Sequence, residues 1–220
     1  MKILGIETAT SVCSVGLSTE KQFIGETRIH RQGLHAEAIA GMTNCLLNKA
    51  GWNVRELDGV GVSIGPGSFT GLRIGLGLAK GLAMGLNRPV IPVPTMNAVL
   101  WGLEPEPFRA CVLLTSRKNE VYRGLYHWKD NEWTESSSID ILPVEDWTRD
   151  LPNEPAYITG EAAGLCVIPS RFTGIKRIST PAAFPGGYGV AALAARQLQR
   201  GEVIGEDPVP YYIKRFQGMP

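Results

Sequence analysis

Apolar runs and polar interruptions divide this chain into strands and helices almost from its first residue. Residues 2–7 and 12–17, mainly apolar, read as strands, and the stretch Glu7-Thr8-Ala9-Thr10-Ser11 at their junction predicts a hairpin with a polar tip. A third strand is expected over residues 22–29. The period then changes: Leu34, Ala38, Met42, Cys45, Leu46 and Lys49 follow helical spacing up to Gly51, a natural C-terminal stop. Residues 58–64, rich in valine and glycine, suit a buried strand and feed into a glycine-rich turn and a second helix ending near Leu86. Another strand at 90–93 precedes a helix over 95–103, with Thr95 as its expected N-cap.

The segment Glu104-Pro105-Glu106-Pro107 cannot continue a helix and is the expected linker. The pattern divides the chain into an N-terminal lobe, 1–103, and a smaller C-terminal lobe, 104–220. Residues 110–115 and 120–126 repeat the opening theme of two strands about a polar turn, Ser116-Arg117-Lys118-Asn119, so the second half is expected to share the plan of the first. A strand at 156–160 and a helix over 187–200, stopped by Gly201, follow. The tail, Pro208-Val209-Pro210-Tyr211-Tyr212-Ile213-Lys214, is extended by its prolines, and it and the preceding helix are placed back over the first lobe.

The second helix is the most unusual element. It opens at Gly65-Pro66-Gly67-Ser68-Phe69-Thr70-Gly71-Leu72-Arg73 and carries Gly71, Gly75, Gly77, Gly81 and Gly85, with Ala79 and Ala83 between them. Each interior glycine costs about 0.8–1 kcal/mol relative to alanine, which close contact would offset. On a helical wheel Gly71, Gly75, Ala79 and Ala83 form one small-residue row and Gly77, Gly81 and Gly85 a second, leaving a narrow wet stripe at Arg73 and Lys80 flanked by Leu76 and Met84. A helix so smooth needs neighbours on two sides. One is the parent sheet; the other is the helix over 34–50 or a helix of another subunit, and the pattern supports both equally. The turn has the amides and the dipole to hold an anion, but no lysine where a Gly-x-x-x-x-Gly-Lys-Ser/Thr loop requires it, and N-capping by Ser68 is the expected role.

The overall composition narrows the function classes. With 22 Lys plus Arg against 21 Asp plus Glu, the net charge of +1 gives no footprint for independent nucleic-acid binding. Cys13, Cys45, Cys111 and Cys166 form no Cys-x-x-Cys pair, which favours reduced, packed thiols in the cytoplasm over a disulfide frame or zinc site. The N-terminal apolar run is too short for a signal peptide, and no stretch is long enough to span a membrane.

Candidate chemistry is sparse. Glu7, Thr8 and Thr10 could approach a nucleotide's terminal phosphates, but a magnesium ion needs more carboxylates than Glu7 and, further on, Glu120 supply. The histidines are His30, His35 and His127, and His35 has Ile39 where a helical His-x-x-x-His metal pair requires a second ligand. No Gly-x-Ser-x-Gly elbow occurs, so no catalytic residue is assigned and no metal is expected.

Together, Ile3-Leu4-Gly5-Ile6-Glu7-Thr8-Ala9-Thr10, the nine-residue glycine motif, Glu120-Val121-Tyr122 and Pro210-Tyr211-Tyr212-Ile213-Lys214 resemble the TsaB family, also called YeaZ, over nearly the whole chain. The resemblance implies an α/β, two-lobed fold of the actin, hexokinase and heat-shock ATPase clan, with ribonuclease H-like halves and a reduced second lobe. It implies a non-catalytic partner of TsaD, joined by the ATPase TsaE, in making threonylcarbamoyladenosine beside the tRNA anticodon, with tRNA held only through the complex. It further implies a homodimer in isolation, no intrinsic cofactor, and ATP or ADP, if bound, at a shared interface. The first two helices would form the interface with TsaD or a second copy, through His35, Ala38, Met42, Phe69, Leu72, Arg73, Gly75, Leu76, Ala79, Lys80 and Ala83. Two departures from the family pattern, Glu7 for a common aspartate and Thr115-Ser116-Arg117 for a common Asp-Ala-Arg, weaken ATP binding within the chain. The alternatives are a small ATP-dependent phosphotransferase of the same clan, with Glu7 and Thr8 at the phosphates, and last a glycoprotease, which would lack its histidine pair.

Overall fold

The computed structural model describes residues 1–20, 22–103, 109–151, 156–178, 183–203 and 207–213, so the expected linker at 104–107 and Lys214 lie outside it. In chain order its strands and α-helices are β1 (Lys2–Glu7), β2 (Val12–Thr19), β3 (Phe23–His30), α1 (His35–Lys49), β4 (Gly59–Gly65), α2 (Phe69–Leu86), β5 (Val90–Pro94), α3 (Thr95–Leu100), β6 (Arg109–Arg117), β7 (Glu120–Lys129), β8 (Glu132–Glu135), β9 (Asp140–Pro143), β10 (Ala156–Thr159), β11 (Lys176–Arg177) and α4 (Gly187–Gln199). They pack as two units, Met1–Thr95 with Gly186–Pro220, and Met96–Pro185.

In the first unit the strands follow the order β3-β2-β1-β4-β5. The first three run antiparallel, while β4 is parallel to both β1 and β5. Side chains alternate across this sheet as the period of two requires. Leu4, Ile6, Cys13, Val15, Leu17, Val60 and Val62 face a core closed by Ile39, Met42, Leu46 and Leu47 of α1 and Leu76, Ala79 and Ala83 of α2. The opposite face carries a trough of glycine, for Gly5 pairs with Gly16 on one side and with Gly61 on the other.

Helix α4 lies in that trough. A β-carbon on Gly5 would stand 2.1 Å from the Gly187 carbonyl, on Gly16 2.2 Å from the Tyr188 amide nitrogen, and on Gly61 2.6 Å from Ala194 Cβ. Three aligned glycines thus let a helix backbone settle onto the strands, a contact no larger residue permits. The first turn of α4 has no side-chain cap of its own. Instead Gly187 N donates to Ser14 Oγ at 3.0 Å, and Tyr188 N to Glu26 Oε1 at 3.4 Å, which places a carboxylate at the positive end of the helix.

The second unit repeats the strand plan. Its order, β11-β10-β6-β7-β8, pairs β6 antiparallel to β7 and parallel to β10, as β1 pairs with β2 and β4. The intervening helices are reduced: 3-10 turns at Val144–Asp146 and Ala163–Leu165 stand between strands where the first unit has α1 and α2. Met96, Val99 and Leu100 of α3 pack on Ala110, Val112, Leu114 and Tyr126. The other face buries Trp147 with Cys111, Leu113, Val121, Ile158 and Cys166.

Two differences from the sequence reading follow from these packings. The division falls after Thr95 instead of after Leu103, because α3 packs on the second sheet, and α4 with the tail belongs to the first unit. Each sheet is therefore followed by the helix that covers the other one. Thr95 is the first residue of α3, and its hydroxyl oxygen accepts from Gly65 N at 3.1 Å, tying the end of β4 rather than capping its own helix.

Candidate functional site

The two small-residue rows of α2 have different fates. Gly71 and Gly75 lie under the opening hairpin tip: a β-carbon on the first would stand 2.0 Å from Thr8 O, and on the second 2.2 Å from Thr8 Oγ1. Leu72, Leu76, Ala79 and Ala83 continue this buried side into the core. Gly77, Gly81 and Gly85 face open space among the described residues, with none of their atoms within 4 Å of the β-carbon each lacks. Between them Met84 is 84% exposed.

Helix α1 extends this open side. It packs beside α2, buries Ile39, Met42, Thr43, Leu46 and Leu47, and leaves Ala36, Glu37, Ala40, Gly41, Asn44, Cys45, Asn48 and Lys49 exposed. The result is a surface largely of glycine, alanine and short polar side chains across two helices, charged at Glu37 and apolar where Met84 and the half-buried Ile74 and Leu78 contribute. Small rows allow another helix to approach closely, a physical use for glycines that cost helix stability and have open space beside them among the described residues.

The edge of α2 away from α1 is held by the C-terminal segment 207–213. Lys80 Nζ donates to Asp207 Oδ2 at 2.7 Å, Tyr211 N to Ile64 O at 2.7 Å, and Arg73 Nε to the Tyr212 hydroxyl at 3.2 Å. The Tyr212 ring packs on Phe69 with centroids 5.1 Å apart, and the Arg73 guanidinium lies 3.7 Å above the Phe69 ring.

The phosphate-turn candidates are closed in by their own chain. Glu7 and Thr8 are fully buried and Thr10 nearly so. Glu7 Oε1 accepts from Ala9 N at 2.6 Å and Oε2 from the Ser63 hydroxyl, while Thr8 Oγ1 donates to Gly71 O at 2.8 Å. Ser68 N reaches Ala9 O at 2.7 Å, and Ser68 Oγ caps α2 by accepting from Gly71 N at 3.2 Å. The start of α2 therefore fills the tip of the hairpin. Glu7 also contributes, after burial itself, to pushing the neighbouring Cys13 thiol up to about 11.

The residues singled out in the sequence for an interface divide accordingly. Arg73 is exposed and Ala38, Phe69 and Lys80 are half-buried. His35, Met42, Leu72, Gly75, Leu76, Ala79 and Ala83 are buried within the unit and offer no surface; His35 Nε2 lies 3.0 Å from Thr10 O. The wheel located both rows but not their sides, because the side is set by where the hairpin tip returns over Gly71 and Gly75. The available signal was the company each row keeps: Leu72 and Leu76 flank the buried row, whereas Arg73 and Met84 border the second. Among the described residues no three His, Cys, Asp or Glu side chains converge as metal ligands, and no helix is long and apolar enough to cross a membrane.

Comparison with known proteins fits this geometry. Residues 29–168 match the family model described as TsaD, tRNA N6-adenosine threonylcarbamoyltransferase. The chain is 27% identical to the tRNA threonylcarbamoyladenosine biosynthesis protein TsaB of Haemophilus influenzae, over 97% of its own length and 94% of that protein's. It superposes on YeaZ from Pseudomonas aeruginosa with a TM-score of 0.82 at 27% identity, covering 96% of this chain and 99% of that one. The chain belongs to the TsaB/YeaZ family. The ROK hexokinase of Thermus thermophilus, at a TM-score of 0.53 and 13% identity over 90% of this chain and 100% of that one, shares the fold alone. The fold of this TsaB/YeaZ chain is thus that of the actin, hexokinase and heat-shock ATPase clan, with its ribonuclease H-like strand plan in both units. The span matched by the TsaD family model contains α1 and α2 entire, so the match takes in the helix pair that bears the open surface.

Proposed function

We propose that this chain acts in the formation of tRNA threonylcarbamoyladenosine as a non-catalytic subunit that docks on TsaD through the outer faces of α1 and α2. The observation that carries the reading is the open glycine row: Gly77, Gly81 and Gly85 weaken a helix, and among the described residues nothing lies within 4 Å of the β-carbon each lacks. TsaD is the occupant favoured by the family match, since a partner with its own counterparts of α1 and α2 presents two helices to two helices. A second copy of this chain can occupy the same face when TsaD is absent, which makes self-association the competing state. TsaE joins the assembly, tRNA is reached through TsaD, and the protein works in the cytoplasm. Any nucleotide belongs to a shared interface rather than to the hairpin tip, because burial of Glu7 and Thr8 argues against a phosphotransferase built on them.

Sedimentation of the purified chain with and without cognate TsaD tests this reading. A mixed complex at micromolar concentration is expected, with Gly81→Leu abolishing it while the isolated variant still melts as a folded protein. A complex that survives Gly81→Leu unchanged overturns the docking face.

A further inference from the structure

Arg73 stands at the border between the open face of α2 and the C-terminal segment, and its guanidinium is held on two sides. Its central carbon Cζ lies over the Phe69 ring, 3.7 Å from the centroid, and its Nε donates to the Tyr212 hydroxyl at 3.2 Å. Tyr212 is itself fixed, by its ring against Phe69 and by the preceding residue, whose amide donates to Ile64 O at 2.7 Å. Among the described residues no carboxylate pairs with Arg73, although its helix neighbour Lys80 has one in Asp207. An arginine free to move would spread its charge into water; this one is oriented, and among the described residues no hydrogen bond to its terminal nitrogens accompanies that of Nε.

Helical spacing places this group in the binding surface. At 3.6 residues per turn, Arg73 shares one stripe with Phe69 and Lys80, and Gly77, Gly81 and Met84 lie on the adjoining one. The segment 207–213 thus forms one rim of the open face and α1 the other. A helix laid on the glycine row would run past the guanidinium at contact range.

We propose that Arg73 receives a carboxylate side chain of TsaD in a bidentate pair, and that Tyr212 and Phe69 are positioning residues that hold the guanidinium in place for it. A planar fork held in advance loses little freedom on pairing, and two parallel N–H···O bonds fix the register of one helix against another. The proposal rests on the docking reading and gives the Pro210-Tyr211-Tyr212 stretch a role in it: the tail sets the charge at the rim, and the glycines set the closeness of approach.

Sedimentation or titration calorimetry of the full chain with purified TsaD, at low and high salt, decides it. Arg73→Gln is expected to weaken association about tenfold and to flatten its salt dependence, and Arg73→Lys to restore less than half of the loss in binding free energy because the fork is gone. Tyr212→Phe keeps the ring and removes the hydroxyl; it is expected to weaken association severalfold in the natural background and not at all in the Arg73→Gln background. A purely structural role for Tyr212 would give the same loss in both. Amide hydrogen exchange over residues 69–73 of the free Tyr212→Phe protein checks that the helix start stays folded. If Arg73→Gln and Tyr212→Phe bind as the natural chain does while Gly81→Leu abolishes binding, the clamp is refuted and the docking face stands. If Gly81→Leu also binds normally, the docking face fails and the clamp with it.

Discussion

Thr8 Oγ1 stands 2.2 Å from where a β-carbon on Gly75 would have to be. That hydroxyl is fully buried and committed to Gly71 O, so it cannot swing aside without losing its hydrogen bond. Gly75→Ala is therefore expected to destabilise the isolated chain by about 2 kcal/mol despite alanine's better helix propensity. Gly81→Ala, whose methyl meets open space, is expected to stabilise it by up to about 1 kcal/mol. Urea unfolding of the two variants gives the comparison, and shifts of the same sign would contradict the assignment of the two rows.

Met84 gives a complementary test on the same helix. With 84% of its surface exposed, Met84→Glu has little packing to lose, and the isolated chain is expected to keep its stability within about 0.5 kcal/mol. A charge there would have to be buried in a helix-to-helix contact, so binding to TsaD is expected to fall by at least about tenfold. Sedimentation of the variant with TsaD measures it.

At Glu7 the structure separates shape from charge. The carboxylate accepts from Ala9 N on one oxygen and from the Ser63 hydroxyl on the other. Glutamine can keep both contacts, since its amide oxygen accepts from Ala9 N and the Ser63 hydroxyl can turn to accept from its nitrogen. Glu7→Gln is accordingly expected to cost less than about 1 kcal/mol, whereas Glu7→Ala strands two buried donors and leaves a void, costing about 3 kcal/mol or more. Denaturant midpoints decide it, and equal losses in the two variants would show that the charge itself holds the tip. Neither substitution is expected to alter TsaD binding beyond its effect on folding.

Much of this architecture is legible in the sequence because it depends on local period. The hairpin of β1 and β2, the helices α1 and α2, and the Ser68 cap follow from alternation, 3.6-residue spacing and capping chemistry. The short strands β8 and β9 are not: Glu132–Glu135 and Asp140–Pro143 are only four residues each, and they exist because β7 offers them an edge, β8 at its second half and β9 at its first. The glycine trough was also hidden, since Gly5, Gly16 and Gly61 become neighbours only through register across three strands. The same is true of the sides of α2. Its two rows could be counted along the chain, but which one faced inward was decided by Thr8, more than sixty residues away.

Burial fixes the sign of the pH dependence that the cysteines give to stability. Desolvation, with a smaller contribution from Glu7, pushes the Cys13 thiol from 9.0 up to about 11. Burial takes Cys111 up to about 12 against the pull of Arg123, and Cys166 to about 11 against that of Arg177. In each case the folded chain holds its proton more tightly than the unfolded chain does. The associated stability is therefore fully present below about pH 9 and is lost as pH rises from there through 11 to 12, with a slope approaching about 1.4 kcal/mol per pH unit for each thiol. Urea unfolding followed from pH 7 to 10.5 is expected to show this decline, and Cys111→Ala, whatever its own packing cost, is expected to flatten it by about one thiol's share. At pH 8 a maleimide should label the exposed Cys45 in the native chain and reach Cys13, Cys111 and Cys166 only after unfolding. Rapid native labelling of any of those three would mean that the core around it opens far more readily than its packing implies.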